Sequence, residues 1–124
     1  MQLSYYARIG DKNLKKLIHD FYIEIANDTL LRPMYKDGLD MAEERLYLFM
    51  IQYLGGPKYY DEKRGHPRLR QRHVDFVVDE NAKYNWLKNM KIALGKSDIS
   101  EDDKQYLWEY FQKTASYRNG ESRT

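Results

Sequence analysis

A chain of 124 residues with 42% hydrophobic and 32% charged side chains has the size of one domain and enough apolar content to close one core, which excludes an intrinsically disordered chain. The formal net charge of +2 is too small to assign a nucleic-acid or membrane partner from the chain as a whole, and no apolar run approaches the roughly 20 residues of a membrane span. Cysteine is absent, so disulfides and thiolate chemistry are excluded and any metal ligand is His, carboxylate, Tyr or Met. The first ten residues lack the basic-then-apolar order of a secretory signal, and a cytoplasmic location is expected.

Apolar positions recur at helical spacing, and the chain reads as all-α. The first long helix carries Leu14, Leu17, Ile18, Phe21, Tyr22, Ile25 and Ala26 on one stripe, with Asp11 as its N-cap and an end near Asn27. Leu31 to Tyr35 forms a turn around Pro33, and Asp37-Gly38 is a break. A second long helix shows the stripe Ala42, Leu46, Phe49, Met50 and Tyr53 and ends at Gly55-Gly56-Pro57, where helix propensity and a backbone donor are both lost.

Lys58 to Gly65 is expected to be a loop. His66-Pro67 opens a short helix that puts Leu69 and His73 four apart on one face, and Val74 to Val78 is extended. Asp79 caps a helix with the stripe Ala82, Trp86, Leu87, Met90, Ala93 and Leu94, closed by Gly95. Ser100 and Asp103 resemble a capping box for the last helix, with Leu107, Trp108, Phe111 and Ala115 inward. One domain is expected over residues 1–117, followed by a polar tail over 118–124.

The three histidines differ in setting. His19 lies off its helix's apolar stripe and reads as a solvated surface group, while His66 sits between Gly65 and Pro67 in a loop or helix start. His73 shares the apolar side of its short helix with Leu69, and both a structural and a metal-ligand reading stay open. Lys63, Arg64, Arg68, Arg70 and Arg72 crowd into the segment 63–73 without an acid, which makes it a solvated face or an anion site. Tyr22 and Trp86 occupy apolar stripes, and core packing explains either alone; together with Tyr35 they could surround a polar ligand. No phosphate-binding glycine loop, HExxH, Ser-His-Asp order or EF-hand is present, and the neighbouring acids Glu43-Glu44 and Asp102-Asp103 cannot face each other on a helix.

The strings Arg45-Leu46, Phe49, Gln52-Tyr53-Leu54-Gly55-Gly56-Pro57, Tyr60, Arg64-Gly65-His66-Pro67-Arg68-Leu69-Arg70, Arg72-His73, Phe76 and Trp86-Leu87 resemble the group II truncated haemoglobins, in register from about Tyr5 to Ala115. The resemblance implies a shortened globin, a two-over-two helical sandwich around haem b, with His73 as the iron ligand. It further implies a distal pocket of Tyr22, Tyr35, Trp86, Ala42 and Leu46, in which only the first three carry polar hydrogens. Arg45, Tyr60 and Arg72 match positions that contact the haem propionates, and Phe49, Met50, Leu69, Phe76 and Met90 are expected around the macrocycle. Many members carry Gly-Gly where this chain has Gly10-Asp11.

Reversible binding of O₂ and other diatomic ligands follows as the expected function, bearing on oxygen transport or on redox chemistry of nitric oxide or peroxide. An external reductant and a monomer or homodimer are expected, with neither nucleic acid nor membrane as partner. The alternative from another class is a haem-free helical adaptor that binds nucleic-acid phosphates through residues 63–73.

Overall fold

The structure, a computed structural model, describes residues 3–58 and 80–121, with side chains through residue 115. Every regular element among them is helical: α1 (Tyr5–Ile9), α2 (Asp11–Ala26), a 3-10 helix (Arg32–Met34), α3 (Leu39–Tyr53), α4 (Glu80–Lys96) and α5 (Glu101–Glu121). None of these is long and apolar enough to cross a membrane. The expected loop beyond Lys58, the short helix at His66, the extended stretch 74–78 and the cap Asp79 lie outside the described residues.

α2 is the organising element. Its predicted stripe is buried from Leu14 to Ile25, with Leu14, Leu17, Ile18, Phe21 and Ile25 fully enclosed, because a 3-4 spacing sets one continuous face against both α3 and α4. α4 packs in turn on α5, which gives two pairs of helices around one core. Ala26 departs from the expectation and is exposed, since the helix ends there and Asn27 takes the C-cap. Asp11 is not the cap of α2. Gly10 is, at φ +90, and the Asp11 carboxylate instead accepts hydrogen bonds from Tyr6 at 3.2 Å and Tyr47 at 2.5 Å.

α3 buries more than its predicted stripe, because Leu48 and Ile51 are enclosed as well, whereas Tyr53 is 42% exposed. Gly95 does not terminate α4, which runs on to Lys96; the Ser97 hydroxyl then donates to the Leu94 carbonyl at 2.8 Å. Ser100 caps α5 as predicted by accepting from the Asp103 amide at 3.3 Å. The Asp103 carboxylate, however, is buried and pairs with Arg8 of α1 at 2.8 Å, so the reciprocal half of the box gives way to a tertiary ion pair. α5 continues past Arg118 to Glu121.

The helix α1, too short to show a period, closes over the end of α3. The Tyr6 amide donates to the Leu54 carbonyl at 2.9 Å, and a Cβ on Gly56 would lie 2.8 Å from both the Ile51 side chain and the Tyr6 ring. Gly56→Ala is therefore expected to destabilise the protein by about 1–3 kcal/mol, because neither neighbour is a flexible chain end. Gly95→Ala faces open space inside a helix and should gain up to about 1 kcal/mol. Denaturant unfolding of the two variants checks the contrast, and a neutral Gly56→Ala would show that α1 does not hold that approach.

Candidate functional site

Neighbouring positions on a helix point about 100° apart, so Phe21 and Tyr22 of α2 send their rings to different partners. Phe21 meets Trp86 of α4 edge-on, with centroids 5.0 Å apart, and Tyr22 meets Tyr35 edge-on at 5.8 Å. Phe21 and Tyr22 themselves stand at 4.9 Å and 78°. The result is a string of edge-to-face contacts, Tyr35–Tyr22–Phe21–Trp86, which brings the three predicted polar-hydrogen donors into one wall. Tyr22 is 6% exposed, while Tyr35 and Trp86 are half-buried. Trp86 is braced on its other side by Phe111 of α5 at 5.8 Å.

The remaining lining comes from α3 and α4. Ala42, Leu46, Phe49 and Met50 are buried along α3, Met90 lies one turn beyond Trp86, and all belong with Tyr22 to one core cluster against which Tyr35 and Trp86 pack. Arg45 is half-buried on α3. Tyr35 reaches the cluster through the 3-10 helix, whose Pro33 presets the turn and whose Arg32 carbonyl accepts the Tyr35 amide at 3.3 Å. An apolar lining edged by a few polar hydrogens suits a flat, mostly apolar group that carries a small polar ligand, and haem is such a group.

Among the described residues no group of three or more His, Cys, Asp or Glu could hold a metal ion. His19 is exposed, as predicted, and its Nδ1 lies 3.0 Å from Glu43. His73, Tyr60, Leu69, Arg72 and Phe76, together with His66 and the basic segment 63–73, lie outside the described residues.

Sequence reasoning missed a half-buried polar cluster beside this wall, of which only Asn89 is fully buried. The Asp28 carboxylate accepts from the amides of Leu30 and Leu31 at 2.9 and 3.0 Å, from Asn85 at 3.2 and 3.3 Å, and from Asn89 at 2.9 Å. Burial raises the pKa of Asp28, but the hydrogen bonds from Leu31, Asn89, Asn85 and Leu30 outweigh it and hold the group below its ordinary value of 3.8. Asn89 is only 4% exposed although it looks like a surface amide in the sequence. The ring string also continues beyond Phe111 to Tyr110 at 5.5 Å and from there to Tyr53 at 4.2 Å. The Tyr53 phenol is pushed up to about 12 by burial and by its hydrogen bond with Tyr106.

The family of bacterial-like globins matches residues 4–118 of the chain. The group 2 truncated hemoglobin of Bacillus subtilis (strain 168) is 33% identical over 112 residues, which cover 90% of this chain and 85% of that protein. Group 2 truncated hemoglobin 3-1 of Lotus japonicus is 40% identical over 116 residues, 90% of this chain and 69% of that one. Among solved structures, the thermostable hemoglobin of Thermobifida fusca superposes with a TM-score of 0.87 at 39% identity, over 94% of this chain and 96% of that chain. The truncated oxygen-avid haemoglobin of Bacillus subtilis gives 0.86 at 32% identity, over 94% and 98%.

Proposed function

Since the chain belongs to the bacterial-like globin family, as a group 2 truncated haemoglobin that binds haem and O₂, we propose that its haem is of the b type, with His73 as the axial ligand. The observation that carries the distal half of this reading is the string Tyr35–Tyr22–Phe21–Trp86, which gathers three hydrogen-bond donors against apolar walls. The haem supplies the iron that binds a diatomic gas and can change oxidation state.

The protein's own contribution is divided among its residues. The Trp86 indole N–H can only donate, so it is the principal donor to O₂ held in the pocket, and the Tyr22 and Tyr35 hydroxyls, which donate or accept, share the rest. Ala42 and Leu46 shape the pocket and keep water out without offering a donor. Phe49, Met50, Met90, Leu69 and Phe76 provide apolar contact for the macrocycle. Arg45, Arg72 and Tyr60 provide the cationic and hydroxyl partners for its propionates.

Oxygen binding is the primary role in this reading, and it extends to redox chemistry on nitric oxide or peroxide, for which an external reductant is required. We place the protein in the cytoplasm as a monomer or homodimer. Membership of the globin family sets aside the haem-free nucleic-acid adaptor.

An absorption spectrum of the purified protein tests the reading. A strong Soret band that shifts with O₂, CO and cyanide is the expected result. A colourless protein that takes up no added haem, and that binds nucleic acid in a salt-dependent way, would overturn it.

A further inference from the structure

Asp28 stands between two parts of the distal wall. On one side its Oδ1 receives the Leu30 and Leu31 amides, and its carbonyl receives the Arg32 amide at 2.8 Å, which fixes the turn that leads into the 3-10 helix and Tyr35. On the other side its carboxylate holds the side-chain amides of Asn85 and Asn89, the first immediately before Trp86 on α4 and the second one turn after it. These partners lie 57 and 61 residues along the chain from Asp28.

We infer that Asp28 is a positioning residue for the distal pocket, its single carboxylate setting the placement of Trp86 relative to Tyr35 and Tyr22. A carboxylate suits the task because both of its oxygens accept: Oδ1 takes the two turn amides and shares the Asn85 amide with Oδ2, and Oδ2 also takes Asn89. An asparagine at 28 has one accepting oxygen and must present its NH₂ group to one of the two sides, where donors already point. Burial of Asn89 keeps water from making good the loss there. The ring of Trp86 then moves with α4, because Phe21 and Phe111 contact it from different helices and have no polar hold on its indole N–H.

The functional consequence rests on the role proposed above for Trp86, and the experiment keeps the two apart. Fluorotryptophan incorporated into the haem-loaded, CO-bound protein in a Trp108→Phe background leaves one fluorine resonance, that of Trp86. Asp28→Asn and the milder Asn85→Ala should both shift this resonance and speed O₂ release about three- to tenfold. The acceleration should disappear when position 86 is already Phe.

A Trp86 resonance unmoved in both variants overturns the inference. So does an acceleration of O₂ release that persists in full in the Trp86→Phe background, because Asp28 would then act through something other than Trp86. If the resonance moves while Trp86→Phe itself leaves O₂ release unchanged, the positioning role of Asp28 is supported and the donor role of Trp86 fails.

Discussion

Replacing His73 by Ala is expected to remove most bound haem, or leave it weakly held, while His66→Ala retains a near-normal spectrum. Haem burial is driven mainly by apolar area, but it is the bond from imidazole to iron that fixes the group in one position and spin state. Of the three histidines in the chain, His19 is committed to the protein surface beside Glu43 and cannot substitute. The choice therefore falls between His66 and His73, and the resemblance to group II truncated haemoglobins assigns the ligand role to the last histidine of the string Arg64–His73, which is His73. Soret absorbance per protein, with the rate of haem transfer to an apoprotein acceptor, reads the outcome for both variants. Loss of axial ligation in the His66 variant instead would shift the assignment of the ligand to His66.

The second large effect is expected from Trp86→Phe, which should release O₂ about tenfold to more than a hundredfold faster than the parent protein. A hydrogen bond to a partly charged acceptor contributes about 1.5–3 kcal/mol, and each 1.4 kcal/mol is a factor of ten. Phe keeps the ring that packs against Phe21 and Phe111, so the substitution removes the indole N–H with limited repacking. CO carries less negative charge on its outer atom and should dissociate with a much smaller change. Stopped-flow release of both gases separates the possibilities, with Tyr22→Phe as the companion variant. Equal changes for O₂ and CO would point to altered packing, and an unchanged O₂ off-rate would remove Trp86 as the principal donor.

Much of the helical framework is legible in the sequence, and the exceptions have physical reasons. The stripe of α2 is legible from Leu14 to Ile25 because a long amphipathic helix repeats its signal over several turns, and only Ala26, at the helix end, departs from it. α1 has five residues and no repeat to detect, and with it went the burial of Ile51, which lies beside Tyr6 at Gly56. Gly95 reads as a stop signal, but its helix-breaking tendency is worth only about 1 kcal/mol and the neighbouring Ala93 and Leu94 are buried in the core, so α4 runs past it.

The candidate site divides differently. Family resemblance singles out Tyr22, Tyr35 and Trp86, whereas spacing alone leaves core packing as a sufficient account of each. Their meeting depends on Phe21, which the sequence marks only as one more apolar residue. The Asp28 cluster was invisible because nothing local in Asn85 or Asn89 reveals an acceptor so far away in the chain.

The closure of α1 on α3 makes the end of α3 a mechanical clamp. The carbonyls of Met50, Ile51, Gln52 and Leu54 all receive backbone amides, from Leu54, Gly56, Gly55 and Tyr6 respectively, and Ser4 lies against Gly55. With its last carbonyls occupied in this way, α3 has no loose turn to unwind and lend to the connection that follows. A pull on the chain beyond Lys58 thus meets this clamp before it reaches Ala42, Leu46 and Phe49 on α3.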